Sequence, residues 1–337
     1  MSWDRGEPKS ILVTRLRFTG DVILSTPLLS ALARRYPGAS VDYLCEEPHD
    51  QVLWGNPHLR EIIAIPPSAS LKETMSLGRR LRGRYDWILD LFSNPRSAWI
   101  TALSGARLRA GRTQGPRALA YNHRPSLAEG LPATAHHLGF LESLAGPQRL
   151  DPPRIFLSGQ EKEQGARLLA DRGLGRNGIA ILVGASQPIK EWPLENFVRL
   201  AALLRMGGRF EPIFIGQPGK RDALDRVRHL SHSQLVILPE MALRELAGVL
   251  ANLRGLVSAD GGVMHMAVAL GLPTLAIFGP SDPGIWFPYA DQKHAELLVR
   301  NAHCRPCHLR DCPDRFCLED ISPESAAEAL ARLLERA

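Results

Sequence analysis

The sequence predicts an α/β fold made of two doubly wound, Rossmann-like domains that face a cleft. Short apolar runs alternate with amphipathic stretches along the 337 residues, as in parallel sheets covered by helices on both faces. The alternation stops at residues 146–153, which are rich in Pro and Gly, and then starts again. A chain of this length favours two domains with separate cores. We therefore predict domains at residues 1–153 and 154–337.

The first domain is predicted to form a parallel sheet covered by helices. Its strands are expected at residues 10–16, 41–45, 61–65, 87–92 and 107–111. Its helices are expected at residues 22–36, 71–82, 95–103 and 135–144. Pro27 lies in the second turn of the first helix, so a kink or a later helix start is expected. Residues 111–133, rich in Gly, Pro and Arg, predict a loop that becomes ordered on binding.

The second domain repeats the alternation and ends in a βαβ unit and a tail. Strands are expected at residues 178–184, 210–216 and 236–238, with helices at residues 194–206, 221–230 and 243–253. Residues 256–280 then give a buried strand, a turn, a short helix ended by Gly271, and a second strand after Pro273. An amphipathic helix is expected at residues 325–336.

The positive charge of the chain lies in its first half. The net charge is +6, and residues 1–150 hold 19 Lys and Arg against 13 Asp and Glu, whereas the remainder holds 22 of each. Residues 91–128 contain six arginines and no carboxylate, which indicates a surface that meets phosphate or carboxylate groups, or else a solvated basic face. No apolar run approaches the roughly eighteen residues that span a bilayer, and residues 1–10 are polar, without the apolar region or cleavage site of a signal peptide. We expect a cytoplasmic protein.

Two other function classes are considered and disfavoured. A dinucleotide oxidoreductase would carry a G-x-G-x-x-G turn after the first strand, where this chain has Thr19-Gly20-Asp21. A nucleic-acid binder would account for a pI near 9.3, but the chain has no basic stripe rich in aromatic residues. We expect no nucleic-acid partner.

The turn of the βαβ unit has the features of a phosphate site. Gly261 and Gly262 open the short helix, where backbone N–H groups and the helix dipole favour an anion. The alternative is that Asp260 is only an N-cap and the glycines only form a turn. A second polar loop, residues 279–283, follows the next strand, and two such loops at the ends of adjacent parallel strands form the usual ligand crevice.

These residues resemble a known family. Ser-Ala-Asp-Gly-Gly-Val-Met-His-Met-Ala from Ser258, Gly-Leu-Pro-Thr from Gly271, Phe-Gly-Pro-Ser-Asp-Pro from Phe278, Trp286 and Pro288 are similar to the site of ADP-heptose:lipopolysaccharide heptosyltransferases, glycosyltransferase family 9. The resemblance implies a GT-B type fold and inverting, metal-independent transfer of L-glycero-D-manno-heptose from ADP-heptose to the lipopolysaccharide inner core. Another nucleotide sugar or acceptor is the nearest alternative. The anionic, lipid-linked acceptor and the basic first domain imply peripheral contact with the inner membrane.

The resemblance assigns two catalytic residues. Asp21 lies in a stretch similar to the family's N-terminal motif, which implies a general base that deprotonates the acceptor hydroxyl; alternatively it is a helix N-cap. Inversion in one displacement needs no second carboxylate. Lys190 lies in Lys-x-Trp-Pro-x-Glu-x-Phe, which implies that it neutralises the departing diphosphate; alternatively it is a solvated loop lysine.

The remaining predicted contacts fall into a donor set and an acceptor set. Asp260 is expected on a sugar hydroxyl, and His265 either donates to phosphate or satisfies a buried polar contact. A ribose-binding carboxylate is expected after the loop at Gly216, but Lys220 and Arg221 precede Asp222 here, a departure from the family. The donor set is Asp260, Gly261, Gly262, Val263, His265, Gly216 and Asp222. The acceptor set is Arg17, Arg96, Arg112, Arg117 and Arg124, whose guanidinium groups suit anionic sugars.

Four cysteines lie close together near the C-terminus. Cys304, Cys307, Cys312 and Cys317 follow the pattern C-x2-C-x4-C-x4-C within the loop at residues 304–317. Four thiols in a cytoplasmic protein favour a structural metal, most plausibly zinc, over disulfides, although the spacing is not that of a standard zinc ribbon. Reduced free thiols or one oxidised pair are the alternatives. No cofactor is expected for catalysis. The resemblance to two-lobed transferases implies that the helix after this loop packs back on the first domain.

Overall fold

The computed structural model describes residues 6–217, 219, 221–231, 235–289, 291–307, 309 and 311–337. The chain divides into two compact units, Met1–Phe156 and Leu157–Ala337, each built around its own parallel sheet. The predicted α/β class with two doubly wound sheets is confirmed.

The first unit has a five-stranded sheet in the order β3-β2-β1-β4-β5. Its strands are β1 Ser10–Thr14, β2 Ser40–Glu46, β3 Glu61–Ile65, β4 Trp87–Asp90 and β5 Leu108–Gly111. Its helices are α1 Thr19–Leu24, α2 Thr26–Arg35, α3 Leu71–Arg80, α4 Pro95–Leu103 and α5 Ala133–Ala145. Ile11, Leu12 and Val13 of the central strand are fully buried, because helices cover both faces of a parallel sheet.

The helix predicted at residues 22–36 is two helices. It breaks at Ser25, whose hydroxyl donates to the Val22 carbonyl at 2.7 Å, and Pro27 lies in the first turn of α2, where its missing N–H leaves no hydrogen bond unmade. The first helix also begins earlier than predicted, at Thr19. Asp21 therefore lies inside its first turn.

The segment predicted as a loop at residues 111–133 carries structure of its own. It contains a short 3-10 helix, Gly115–Ala120, and Tyr121 is buried against Ala98 and Ala120. The Tyr121 hydroxyl donates to the buried Asp90 carboxylate at 2.6 Å. Sequence composition missed this anchor, which ties the segment to the end of β4.

The second unit has a six-stranded sheet in the order β11-β10-β9-β6-β7-β8. Its strands are β6 Gly178–Val183, β7 Glu211–Gly216, β8 Val236–Ile237, β9 Gly255–Ala259, β10 Thr274–Phe278 and β11 Ala295–Val299. Its helices are α6 Gly159–Ala170, α7 Leu194–Met206, α8 Arg221–Leu230, α9 Leu243–Leu250, α10 Gly262–Ala269, α11 Pro283–Trp286, α12 Phe316–Glu319 and α13 Pro323–Arg336.

Four elements of this unit, α6, α11, α12 and β11, escaped the sequence analysis. Helix α6 begins at a capping box in which the Ser158 hydroxyl and the Glu161 carboxylate each bind the other's backbone N–H. It packs closely on α9, because a Cβ on Gly165 would overlap the Gly248 carbonyl. Strand β11 pairs with β10 at the sheet edge and is only partly buried, so its apolar signal is weak.

The C-terminal helix α13 packs against α7, β10 and β11 of its own unit. Leu330 and Leu333 are fully buried there. The crossing to the first domain that the sequence suggested for this helix stays a prediction. None of the described helices is long and apolar enough to cross a membrane.

Each sheet has one point where the strand order reverses. In the first unit it lies between β1 and β4, and in the second between β6 and β9. Loops at the carboxyl ends of such strands form the ligand-binding crevice of open α/β sheets. The two loop pairs therefore define where a site belongs in each unit.

Candidate active site

In the first unit, Asp21 lies in α1, the helix that follows β1 at the reversal point. It is the third residue of α1 and is 9% exposed. Its Oδ1 atom lies 2.6 Å from Nη2 of Arg15. The N-cap alternative for Asp21 is wrong, because Phe18 occupies the N-cap position. N-capping therefore does not explain why Asp21 is buried and paired with Arg15.

Sequence analysis missed Arg15, which lay inside a predicted apolar strand. The residue is buried, and its guanidinium carbon lies 4.2 Å from the centroid of the Phe92 ring. Its Nε and Nη1 atoms have no hydrogen-bond partner among the described residues. Since Arg presents a rigid planar fork, Arg15 can fix the Asp21 carboxylate and still donate to a bound polar group. The signal that could have identified it is a single Arg at the end of a run of otherwise apolar residues.

His137 of α5 is a further buried group near this pair. Burial first, and then the Arg15 charge, lower the pKa of His137 to about 3. The ring is therefore neutral at physiological pH. It adds no positive charge to the surroundings of Arg15, which leaves Arg15 and Asp21 as an ion pair.

Two of the five predicted acceptor arginines are tied to one buried carboxylate. Glu46, at the end of β2, accepts from Nε of Arg17 at 3.0 Å and from Nη1 of Arg96 at 2.6 Å. Arg96 also donates to the Ala69 carbonyl at 3.0 Å. The sequence analysis found no acidic partner for Arg96, because Glu46 is distant from it in the chain. Their contact with an acceptor stays a prediction.

The other three acceptor arginines are exposed. Nη1 of Arg112 lies 3.3 Å from Nε2 of His136, and Nη1 of Arg117 donates to the Ser93 carbonyl at 3.3 Å. Arg124 is exposed as well. The charges of these side chains remain available to an anionic ligand.

In the second unit, the two loops at the reversal point meet in an ion pair. Lys190 ends a short 3-10 helix after β6, and Asp260 directly follows β9. Nζ of Lys190 lies 2.7 Å from Oδ2 of Asp260, and the Ser281 hydroxyl donates to the same oxygen at 2.6 Å. The solvated-loop alternative for Lys190 is wrong, because its side chain is only 24% exposed and is paired. Sequence analysis selected both partners but not their pairing.

Helix α10 begins beside this pair with an open N-terminus. Its N-cap residue is Gly261, which makes no side-chain capping bond, so the N-cap alternative for Asp260 is wrong. A Cβ on Gly261 would come no closer than 3.7 Å to its nearest neighbour, Oε1 of Gln217. Gly262 begins the helix and Val263 is buried behind it. Such a helix terminus suits a phosphate group.

His265 is held by a buried polar contact. Its Nδ1 atom lies 2.7 Å from the Tyr289 hydroxyl, and both side chains are buried. Burial raises the pKa of Tyr289 well above its usual value, so the phenol stays protonated. This is the buried polar contact that was one of the two roles considered for His265. The other role, donation to phosphate, stays a prediction.

The predicted ribose contacts surround the end of β7. Gly216 is the last residue of β7, and Asp222 is an exposed residue in the first turn of α8. The Glu240 carboxylate accepts from the Gly219 backbone N–H at 2.7 Å, a contact that the sequence did not indicate. Lys220, which marked the departure from the family pattern, lies outside the described residues.

The four cysteines Cys304, Cys307, Cys312 and Cys317 are free thiols that line one small cavity. Burial, and to a lesser extent the other three sulfurs, raise the pKa of Cys317, which the Arg305 charge opposes. Within the described part of the chain, no three potential ligands lie close enough together to hold a metal ion. Zinc at these cysteines stays a prediction.

The cysteine loop, residues 304–317, also forms hydrogen bonds to the loops that carry Ser281 and Lys190. Nε of Arg305 donates to the Gly279 carbonyl at 2.8 Å, and the Cys307 N–H donates to the Pro280 carbonyl at 3.0 Å. Arg315 donates to the Glu191 carbonyl, next to Lys190. The loop thereby joins the segments that carry Ser281 and Lys190.

Comparison with known proteins identifies the family of the chain. The model of glycosyltransferase family 9 (heptosyltransferase) matches residues 74–315, more than half of the chain. Lipopolysaccharide heptosyltransferase 1 of Pseudomonas aeruginosa is 29% identical over 319 residues, which cover 90% of this chain and 87% of the relative.

Two solved structures share the fold. A glycosyl transferase family 9 structure from Veillonella parvula gives a TM-score of 0.88 at 24% identity and covers 98% of each chain. The structure of E. coli ADP-heptose LPS heptosyltransferase II gives a TM-score of 0.81 at 24% identity, covering 97% of this chain and 98% of that one. The family match decides the enzyme class against the oxidoreductase alternative. The chain is a glycosyltransferase and belongs to family 9, the heptosyltransferases of lipopolysaccharide biosynthesis.

Proposed function

We propose that the enzyme transfers heptose from ADP-heptose to the lipopolysaccharide inner core by one inverting displacement. The observation that carries the proposal is the position of Lys190 and Asp260 beside the open N-terminus of α10. An ammonium group has three N–H donors, so Lys190 can keep its bond to Asp260 and also donate to a phosphate oxygen. The α10 amides supply further donors to the diphosphate.

The chemical step needs a base and a means to stabilise the leaving group. The acceptor hydroxyl oxygen attacks the anomeric carbon, its proton passes to Asp21, and the bond from that carbon to the ADP oxygen breaks. Negative charge on ADP grows as that bond breaks, and Lys190 stabilises it. A protein cation performs here the work that a divalent metal performs in other transferases, so we propose a metal-independent reaction. One displacement inverts the anomeric configuration.

The donor proposal rests on what the named relatives use. The E. coli relative of known structure is an ADP-heptose LPS heptosyltransferase, and the open α10 terminus suits any nucleoside diphosphate. Another nucleotide sugar within the family is therefore the competing candidate. Thermal unfolding with ADP, UDP, GDP and CDP separates the two, because the nucleotide that raises the melting temperature most identifies the donor. Stabilisation by UDP but not by ADP would reject ADP-heptose.

The mechanism is tested by turnover of ADP-heptose on a delipidated inner-core acceptor in the presence of EDTA. We expect an unchanged rate and a product whose anomeric configuration, read by NMR, is opposite to that of the donor. Retained configuration would reject the single displacement. Loss of activity with EDTA, restored by a divalent metal, would reject metal independence.

The acceptor is proposed to bind the first unit. Arg112, Arg117 and Arg124 present exposed guanidinium groups, and Arg15 has two buried nitrogens without a partner in the described residues. Sugar acids and phosphates on an inner-core acceptor match this charge. We also propose that the enzyme works at the cytoplasmic face of the inner membrane, where a lipid-linked acceptor is presented.

A further inference from the structure

One outer face of the first unit combines large apolar side chains with basic ones. Leu71 begins α3 and is 63% exposed, Trp99 on α4 is 51% exposed, and Leu119 in the 3-10 helix is 87% exposed. Lys72 and Arg117 are their exposed chain neighbours. We call these five residues the docking face. An aromatic side chain such as that of Trp99 normally buries about 150 Å² or more of its surface in a folded protein. Several large apolar side chains exposed on one face therefore indicate a binding surface.

The three elements that carry the docking face lie side by side. Helix α3 packs closely on α4, because a Cβ on Gly78 would lie 2.9 Å from Cβ of Leu103. On its other side α4 packs on the 3-10 helix through Ala98 and Ala120. Ala98 and Ile100 are buried, whereas Trp99 between them faces solvent. Trp99 thus lies on the outer side of α4, with α3 and the 3-10 helix as its neighbours.

The docking face is held in place from beneath. Asp90 accepts hydrogen bonds from the Tyr121 hydroxyl and from the Ser93 N–H, the latter at 2.8 Å. These two bonds anchor both ends of residues 93–121, the segment that carries Trp99 and Leu119. Arg96 ties α4 to the residues just before α3 through the Ala69 carbonyl. Because these buried contacts order the elements, exposure of Trp99 and Leu119 belongs to the folded state.

Positive charge accompanies these side chains. Arg112, Arg117 and Arg124 are exposed in residues 91–128, the stretch that carries Trp99 and Leu119, and this stretch contains no carboxylate. The one acidic residue beside Leu71 in α3, Glu73, is engaged in a capping box with Ser70. Apolar side chains with Trp at their centre, flanked by Lys and Arg, match the boundary between acyl chains and anionic headgroups.

The elements that carry the docking face begin at the edge of the sheet that carries Asp21. Helices α3 and α4 and the 3-10 helix follow the carboxyl ends of β3, β4 and β5, and α1 follows the carboxyl end of β1. All strands of this sheet are parallel, so these ends share one edge. We propose that the docking face binds an anionic lipid bilayer, with Trp99 and Leu119 at the depth of the headgroups. The inference rests on the proposed function, since it brings a lipid-anchored acceptor toward the base.

Vesicle binding tests the inference without any substrate. We expect the full chain to co-sediment with phosphatidylcholine vesicles that contain phosphatidylglycerol, and to dissociate at high salt because the charges are screened. Trp99→Ala with Leu119→Ala should lower the partition coefficient by about tenfold or more, from lost apolar burial. Met206→Ala is the matched control, because Met206 is 84% exposed in the second unit. It should bind as the wild type does.

Depth of insertion gives a second readout. Phosphatidylglycerol brominated on its acyl chains should quench part of the tryptophan fluorescence of the wild type, and Trp99→Phe should remove most of that quenching. The double variant should keep its rate on the delipidated acceptor, which separates a failure of docking from a failure of the proposed reaction. Equal binding of the double variant, or equal binding to pure phosphatidylcholine, would overturn the inference. A dimer that the double variant dissociates would show instead that a second copy covers the face.

Discussion

Asp21 and Arg15 form the ion pair on which the proposed base depends. Replacing Asp21 by Asn keeps the shape and removes the base, so we expect kcat to fall by about 10²–10⁴-fold while ADP affinity stays within a few-fold. Steady-state kinetics and calorimetric titration with ADP measure the two effects. Asp171→Asn, an exposed acid on the second unit, is the control. Near-normal kcat in Asp21→Asn would remove this residue from the chemical step.

Arg15→Gln should separate positioning of the base from binding of the donor. The variant loses the 2.6 Å contact to Asp21, so we expect kcat to fall by about tenfold or more with an unchanged KM for the donor. Arg15→Lys keeps the charge but not the planar fork, and should recover only part of the rate. If both variants lower the melting temperature equally and leave kcat unchanged, Arg15 only stabilises the fold.

Lys190→Ala should slow turnover by about 10²-fold, because the departing diphosphate loses its cation. The Asp260 carboxylate, 7% exposed, would then be left without its ionic partner, so the melting temperature should also fall. Single-turnover kinetics read the first effect and calorimetry the second. Lys162→Ala, on the exposed side of α6, provides the comparison and should change neither. An unchanged rate in Lys190→Ala would contradict the proposed role.

Individual residues were the part of the site that sequence predicted least completely. Asp21, Lys190 and Asp260 were found because each lies in a motif next to the end of a strand. Arg15, the partner of Asp21, was not found, because this contact needs the bend between β1 and α1. Tyr289, the partner of His265, was not found either, because this contact needs the packing of residues far apart in the chain. Local patterns identify a polar residue at a strand end, but only the folded chain selects its partner.

The loop after β10 is positioned by packing against α12. A Cβ on Gly279 would lie 2.5 Å from Cγ of Leu318, so Gly279→Ala must displace the loop that carries Ser281. We expect a loss of about 1–3 kcal/mol in the free energy of unfolding and weaker ADP binding. Adding Leu318→Ala makes room and should restore part of the ADP affinity that Gly279→Ala lost. A double variant no better than Gly279→Ala would show that the loop is positioned by other contacts.

Strands were the elements that sequence predicted best. The apolar runs at residues 10–16, 41–45, 61–65 and 87–92 each match a strand to within two residues at either end, because strands of a helix-covered parallel sheet are rich in apolar residues. Helix ends were less predictable. The break at Ser25 depends on two side-chain hydrogen bonds to the preceding turn, from Ser25 and from Thr26, and no pattern of apolar residues records them.

At the scale of the whole molecule, acid should destabilise the first unit. Burial lowers the pKa of His49, His136 and His137, the last to about 3, from an ordinary value of 6.5. Below about pH 6.5 the unfolded chain therefore binds protons that the folded unit excludes, and the free energy of unfolding falls as the pH drops. Hydrogen exchange near pH 7.5 and about pH 5.5 should show α5 losing protection. His137→Gln should weaken this dependence, and an unaltered pH profile would contradict the assignment.

The pairing of Glu46 with two arginines bears on how this enzyme could diverge. One carboxylate, 3% exposed, is the ionic partner of both Arg17 and Arg96. A single codon change that exchanged this acid for glutamine would release two cations at once beside the α1 turn. Lineages whose glycolipids gain or lose a phosphate could thus retune the polarity of their transferase in one evolutionary step, with every arginine left untouched.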